Sequence, residues 1–353
     1  MGHVSAERDL TAGVGQAPPS PRARRPVVRR LVLAGLLLAL VTCSLLLLAV
    51  RHLDGNLNRI PGVFDDLSDR PAPSSAAAGA LDILIVATDL ESEAGDASAA
   101  KEDGREADRV DDLMLFHIDS QRRTAAVISI PADTLVETSS HGMNTVGSAY
   151  SRGGARLAVE SVERLTQVRV DHLAVIDWAR FGALVDAVGG ITVTVPATVR
   201  DPASGATWKR GRHLLDGTEA VSYIRQRDGL PRGDLDRVAR QHAVLREVME
   251  DTLHQEMRKQ PWMLYGFLDT VSLHLGVDEG WSTAEMIGLV LSMRNFRSAM
   301  ISYVTMPVAE GDRSATGSGA RVLPHEDSRA LWHAVGEDRL GAWVAQNPQI
   351  LTP

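Results

Sequence analysis

The stretch DHLAVIDWARFGALVDAVGGITVTVP, residues 171–196, carries a strand, a helix and a second strand in succession. His172–Ile176 is a short apolar run of strand length. Asp177 stands where a helix N-cap belongs, the apolar positions continue to Val188, and Gly189-Gly190 supply the left-handed stop. Ile191–Val195 is then a strand of β-branched residues ended by Pro196. Upstream, Leu81–Ala87, Leu113–Asp119 and Ala125–Ile130 read as further strands, and Leu157, Ala158, Val162 and Leu165 form a helical stripe between residues 155 and 165. Downstream, Asp216 and Glu219 make a capping box that opens a helix. A long helix follows from Asp234 to about Met257, then a helix over Ser282–Asn295 and a buried strand over Met300–Met306. Strands alternating with helices predict an α/β domain, with a central sheet flanked by helices on both faces. The last hundred residues are expected to complete that domain.

The chain has 353 residues, 44% hydrophobic and 23% charged, with a formal net charge of −8. The composition is that of a globular protein. The acidic balance opposes any non-specific coating of nucleic acid, so no nucleic-acid partner is expected. Cys43 is the single cysteine, which excludes a disulfide scaffold and a cysteine-ligated zinc site. Leu31–Val50 is a 20-residue run with no charge and ten leucines. At about 1.5 Å per residue it spans the roughly 30 Å hydrocarbon core of a bilayer. It is longer than a signal-peptide core, and no clear small-x-small cleavage site follows it, so it reads as an uncleaved signal anchor.

Arg22, Arg24, Arg25, Arg29 and Arg30 precede the run, against Arg51, Arg59 and Arg70 in the 20 residues after it. The positive-inside rule keeps the N-terminus in the cytoplasm and the remainder outside the cell membrane, in a single pass. The expected organisation is a disordered cytoplasmic tail (1–30), the anchor (31–50), a stalk and linker (51–80) ending in PAPSSAAAGA, and an extracytoplasmic α/β domain (81–353). Outside the membrane there is no supply of ATP.

The densest chemistry lies in YIRQRDGLPRGDLDRVARQ, residues 223–241, which holds Arg225, Arg227, Arg232, Arg237 and Arg240. Asp234, Arg237 and Gln241 fall at i, i+3 and i+7 of the long helix and share one face, with Arg240 beside it. Convergent guanidinium forks match the oxygens of a diphosphate, although a solvated helix with surface Arg–Asp pairs has the same pattern. Asp89 after one strand, and Arg109, Asp111 and Asp112 before the next, make a second group. Carboxylates at strand ends suit Mg²⁺ shared with phosphate oxygens. The segment Asp89–Asp112 carries ten acids, and its middle also reads as a solvated, mobile loop. Gly153-Gly154 before a helix has the form of an anion seat at a helix N-terminus, but reads better as a plain turn. The sequence contains no HExxH, G-x-S-x-G or P-loop.

In order and spacing, LDILIVATD (81–89), ADRVDDLMLFHID (107–119), VISIPADT (127–134), SAYSRGG (148–154), residues 171–196 and LDGTEAVSYIRQRDGLPRGDLDRVARQ (215–241) resemble the LytR–CpsA–Psr family of envelope proteins. The resemblance covers about residues 81–250, and the single N-terminal anchor agrees with it. It implies a mixed-sheet α/β transferase that moves a glycopolymer from a polyprenyl diphosphate carrier onto peptidoglycan, forming a phosphodiester outside the membrane. It further implies Mg²⁺ held by Asp89 and Asp111, and a diphosphate gripped by Arg109, Arg225 and Arg227. Asp234, Arg237, Arg240 and Gln241 match the remaining pocket positions, and Asp234 or Asp111 is the candidate acceptor of the sugar hydroxyl proton.

The departures also matter. Ala132 replaces a pocket arginine of the family, Thr145 and Gly147 replace a lysine and an asparagine in an ungapped match, and Asp112 replaces a threonine. Asn144 takes the asparagine's place only if an insertion shifts the alignment, and Arg152 or His141 are the cations placed to restore lost charge. One lost oxyanion contact commonly costs about 10²–10³ in rate. The alternative reading is therefore a degenerate member that binds polyprenyl phosphates or an envelope partner without turnover. A lipid diphosphate phosphatase is a lesser possibility. Direct DNA-binding regulation is excluded, since some thirty residues before the membrane have no room for such a fold.

Overall fold

The computed structural model describes residues 24–67, 69–88, 110–139, 142–226, 228–253, 260–293, 296–310 and 322–352. The chain divides into two units, Met1–His52 and Leu53–Pro353. The first unit holds most of helix α1 (Arg24–Asn56), whose last four residues belong to the second. From Val28 to Asn56 the helix is long and apolar enough to cross a membrane, and none of its apolar window is buried in protein. Its 33 residues make a rod of about 50 Å.

The second unit runs through β1 (Asn58–Ile60), β2 (Leu81–Thr88), β3 (Val110–Ile118), β4 (Ala125–Ile130), β5 (Leu135–Thr138), β6 (Gly142–Thr145), α2 (Val146–Thr166), β7 (His172–Asp177) and α3 (Trp178–Ala187). It continues through β8 (Ile191–Val195), β9 (Val199–Arg200), β10 (Thr207–Trp208), β11 (Gly211–Leu215), α4 (Gly217–Arg225), α5 (Asp234–Leu253), α6 (Pro261–His274) and β12 (Leu275–Asp278). It ends with α7 (Thr283–Ser292), β13 (Ile301–Thr305), β14 (Val308–Glu310), β15 (Val322–Pro324), α8 (Glu326–Gly336) and α9 (Leu340–Gln346).

Seven strands form the central sheet in the order β1-β12-β7-β2-β3-β4-β13. β2 pairs parallel with β7 and β4 with β13, while β3 runs antiparallel between β2 and β4, so the sheet is mixed. Alternation along each strand divides the core in two. Ile83, Met114 and Val127 face one side, where α3, α4, α5 and α6 pack through Phe181, Tyr223, Val244 and Phe267. Leu84, Val86, Leu115 and Ile128 face the other, under α2, α8 and α9 through Val159, Leu331 and Val344. Each fully buried aliphatic side chain is worth about 1.5–3 kcal/mol, and burial on both faces is why the strands read as near-continuous apolar runs.

The capping box at Asp216 and Glu219 is present, with Asp216 accepting from the Glu219 amide at 2.8 Å. The helix it opens touches α3 backbone to backbone, since a Cβ on Gly217 would stand 2.2 Å from the Gly182 carbonyl oxygen. Gly154 is not a turn before the helix: it lies inside α2 at φ 65°, ψ −159°, a kink that only glycine adopts readily. β12 in the central sheet has no counterpart in the sequence reading. It has four residues, one of them Gly276, which leaves no periodicity to detect. β1, from the segment read as a polar stalk, pairs parallel with β12 at the sheet edge. Most of the acidic segment, residues 89–109, lies outside the described residues, as does the end of the long helix beyond Leu253.

Candidate active site at the carboxyl edge of the sheet

β2, β4, β7 and β13 all run the same way, so their carboxyl ends share one edge, which is where open α/β sheets place their ligands. β3 enters the sheet at this edge. Ala87 is opposite Asp112 and Thr88 is opposite Val110, so Asp111 is the extra residue of a β-bulge. Bulges re-aim a side chain and gather near active sites. Thr88 also stands opposite Asp177, which ends β7 immediately before α3.

The neighbouring Asp112 is buried and turned to the face under α5. Ser129 Oγ donates to Asp112 Oδ2 at 3.5 Å and lies 2.7 Å from His242 Nε2. A serine that donates to the carboxylate accepts from the ring, which assigns the proton of a neutral imidazole to Nε2. Burial first, and then Arg246, pushes the His242 pKa down to about 3, so the ring stays neutral. The added negative charge at position 112 is thus drawn into a buried polar chain. In the sequence, the signal for Ser129 and His242 is confined to a serine inside an otherwise apolar strand.

The same contacts orient α5. His242 lies at the level of Ser129, which pairs with Thr305, whereas Arg246 stacks over Tyr303, two residues back along β13. The helix therefore descends from the carboxyl edge, and its first turns, residues 234–241, lie at or beyond that edge. There Arg237 and Gln241 are buried, and Gln241 Oε1 has no hydrogen-bond partner among the described residues.

Arg240 is spent on protein. Its Nη1 donates to the Tyr223 carbonyl at 3.1 Å and to Gln226 Oε1 at 2.7 Å, and its guanidinium lies 4.2 Å from the Tyr223 ring centroid. Gln226 Nε2 donates in turn to the carbonyls of Asp228 and Arg200. Arg240 is thus the clamp of the α4–α5 corner, and burial lowers its pKa. Arg225 ends α4 at that corner, half-buried, with its pKa lowered by burial. Arg232 pairs instead with Asp236 at the surface, 2.7 Å from it. Beside the corner lies a cavity of about 210 Å³ walled by Pro196, Val199, Leu230, Tyr223, Arg240 and Ala243.

Asp89, Arg109, Arg227 and His141 lie outside the described residues, and for Asp111 and Asp234 only the backbone is described. Arg240 meets the end of α4 that carries Arg225, through Tyr223 and Gln226, and shares the upper turns of α5 with Arg237 and Gln241. At the family's altered positions, Thr145 caps α2, accepting from the Ser148 amide at 3.3 Å, and the Gly147 amide donates to the Ala132 carbonyl at 2.9 Å. A Cβ on Gly147 would lie 2.9 Å from that of Ala132, so an asparagine does not fit there. Asn144 stands at the end of β6, its Oδ1 accepting from Ser148 Oγ at 3.4 Å. Arg152 is exposed on the first half of α2.

The donors fit Mg²⁺ in kind. The bulged Asp111 and the buried Thr88 Oγ1, which has no hydrogen-bond partner among the described residues, offer only hard oxygens. No group of three His, Cys, Asp or Glu that could hold a metal is found among the described residues, and Mg²⁺ bound by one or two carboxylates with ligand phosphates needs none.

The chain is 30% identical to the cell wall biosynthesis protein LcpA of Corynebacterium glutamicum, over 95% of this chain and 69% of that protein. It is 33% identical to the polyisoprenyl-teichoic acid–peptidoglycan teichoic acid transferase TagU of Bacillus subtilis, over 42% of this chain and 48% of that one. In fold it is similar to the LytR-Csp2A-Psr enzyme from Actinomyces oris, with a TM-score of 0.61 and 23% identity, covering 79% of this chain and 96% of that one. The structure of TagT bound to LIIa-WTA aligns with a TM-score of 0.58 and 20% identity, over 78% and 98% of the two chains. The LytR_cpsA_psr family description matches residues 65–334. With the bulged carboxylate, the arginine-bearing corner and this match over most of its length, the chain belongs to the LytR–CpsA–Psr family.

Proposed function

We propose that this protein is a membrane-anchored phosphotransferase that moves a glycopolymer from a polyprenyl diphosphate carrier to peptidoglycan. The observation that carries the reading is the α4–α5 corner, which holds Arg225, Arg237 and Arg240 at the carboxyl edge where Asp111 is bulged out. Relatives named as cell wall biosynthesis proteins and as teichoic acid transferases to peptidoglycan support it, and α1 supplies the anchor.

In the proposed step, a sugar hydroxyl oxygen of peptidoglycan forms a bond to the phosphorus that bears the glycopolymer. The bond from that phosphorus to the bridging oxygen breaks, and polyprenyl phosphate leaves. The driving force is the diphosphate linkage itself, so no nucleotide is needed. Arg225 has the position and charge to neutralise the diphosphate, with Arg227 and Arg109 assigned by resemblance. Arg240 acts through the corner, holding the end of α4 where Arg225 projects. Asp111 or Asp234 takes the hydroxyl proton. Mg²⁺, held by Asp111 with Asp89, would supply charge neutralisation on the non-bridging oxygens.

The test uses the full chain in detergent with Mg²⁺, a polyprenyl diphosphate-linked oligosaccharide and a peptidoglycan fragment, read by mass spectrometry. Phosphodiester and free polyprenyl phosphate that vanish in Arg225→Ala support transfer. Binding of the carrier without product would establish the non-catalytic reading, which the remodelled contact of Ala132 with Gly147 keeps in view.

A further inference from the structure

Helices α6 and α7 carry an apolar outer surface that the proposed reaction does not use. On α6, Trp262, Met263, Tyr265 and Leu273 are exposed, Trp262 by 71%; on α7, Val290 and Leu291 are exposed by 59% and 61%. The inward sides of both helices are also apolar and pack on the core through Leu264, Phe267, Met286 and Leu289. A surface helix normally opposes its apolar stripe with charge. Here α6 has one carboxylate, Asp269, which accepts from Asn56, and α7 has one, Glu285, which closes its own capping box. Neither helix offers a charged face to water.

Their place in the fold says what covers them. Asn56, the last residue of α1, donates to Asp269 at 2.9 Å and to Ser272 at 3.1 Å on α6. Thr283, the first residue of α7, bonds Asp54 and accepts from Arg59 at 2.9 Å. Arg59 also bonds Asp54 at 2.7 Å and the Trp281 carbonyl. Both apolar helices are therefore fastened to the residues that leave the membrane-length helix. The uncharged run ends at Val50, and the four residues from there to Asp54 reach at most about 14 Å. That is comparable with the bilayer's polar interfacial layer of roughly 5–8 Å plus the first water layers.

We infer that the outer surface of α6 and α7 is a second membrane contact, seated in the interfacial layer of the same bilayer that α1 enters. Trp262 and Tyr265 are the residue types that favour that layer, with an apolar body and one polar handle. With no cationic face, the contact depends on burial of apolar area rather than on attraction to anionic lipid. A second attachment restrains the external unit at the membrane, where a single anchor leaves it free to swing. This inference is independent of the transferase reading.

The test uses the full chain in vesicles of phosphatidylcholine with and without bromine on the acyl chains, comparing wild type with Trp262→Phe. Of the six tryptophans, Trp178, Trp208, Trp281 and Trp332 are buried and Trp343 is half-buried, so the difference emission belongs to Trp262. The expected result is loss of most of that difference emission in brominated vesicles, with little quenching by aqueous iodide. Val290→Asp, on the outer side of α7, is expected to reduce the bromine effect on Trp262 while thermal unfolding stays unchanged. Quenching by iodide and not by bromine would overturn the inference by placing the surface in water. Protection from both quenchers would overturn it in favour of a second protein copy.

Discussion

Replacing Arg240 by Met keeps much of the volume and removes the clamp of the α4–α5 corner. The loss comprises two hydrogen bonds from a charged donor, to the Tyr223 carbonyl and Gln226 Oε1, and a cation–π contact with Tyr223. Hydrogen bonds to charged groups contribute about 1.5–3 kcal/mol each, and the stacked contact about 1 kcal/mol. Part is returned because a guanidinium no longer needs desolvation, while Gln226 Oε1 is left buried without its donor. The expected net destabilisation is about 2–4 kcal/mol. An external unit of about 300 residues has an unfolding entropy near 0.6 kcal/mol/K, so Tm should fall by about 3–6 °C. Calorimetry of the full chain in detergent measures this. Arg240→Lys restores charge without the fork and should recover less than half of the loss. A Tm for Arg240→Met within about 1 °C of wild type would refute the clamp. The clamp also predicts that this variant loses stability and transfer together. Arg225→Ala, at a half-buried helix end, should lose transfer with Tm nearly unchanged.

Ser129→Ala interrupts the buried chain between Asp112 and His242 and should cost about 1–3 kcal/mol in urea titration; no change in midpoint would mean that the chain does not hold the edge. Gly154→Ala forces a side chain into the kink of α2 and should cost about 1–3 kcal/mol, seen as a lower Tm than for Gly336→Ala, where an added Cβ meets nothing within 4 Å. At the opposite edge of the sheet, His117 Nδ1 lies 2.8 Å from Asp82 Oδ1. Burial opposes the charge on His117, but Asp82, Asp338 and Asp119 raise its pKa on balance, and burial raises that of Asp82. Both groups therefore hold a proton more tightly when folded. The histidine contribution is complete below about pH 6.5 and is lost as pH rises through the raised value, so urea stability should decline from pH 6 to 9, with a flatter profile in His117→Gln. If Asp111 helps to hold Mg²⁺, chelation should abolish transfer, and Asp111→Asn should raise the Mg²⁺ concentration needed to restore it.

Much of the fold was legible because its elements carry local signals. Residues 171–196 place a strand, a glycine-stopped helix and a second strand by periodicity and glycine alone, and Leu81–Thr88, Ala125–Ile130 and the Asp216 capping box are equally local. The resemblance to the family supplied the roles proposed for the arginine-rich corner, whose residues are themselves legible from local spacing. Two central-sheet strands, Asn58–Ile60 and Leu275–Asp278, were not legible. With three and four residues, each is a strand only through distant partners: β1 pairs with β12 across more than two hundred residues of chain, and β12 with β7 across about a hundred.

The candidate site divides along the same line. Sequence alone determined which charged residues gather between Tyr223 and Gln241, because chemistry and helical spacing are written locally. It did not determine their roles. Only the tertiary structure turned Arg240 inward to clamp the corner, drew Asp112 toward Ser129 and His242, made Asp111 the bulged residue, and set Ala132 against Gly147. Each of these depends on which element lies across from the residue, and a guanidinium or carboxylate takes whichever buried partner offsets its desolvation.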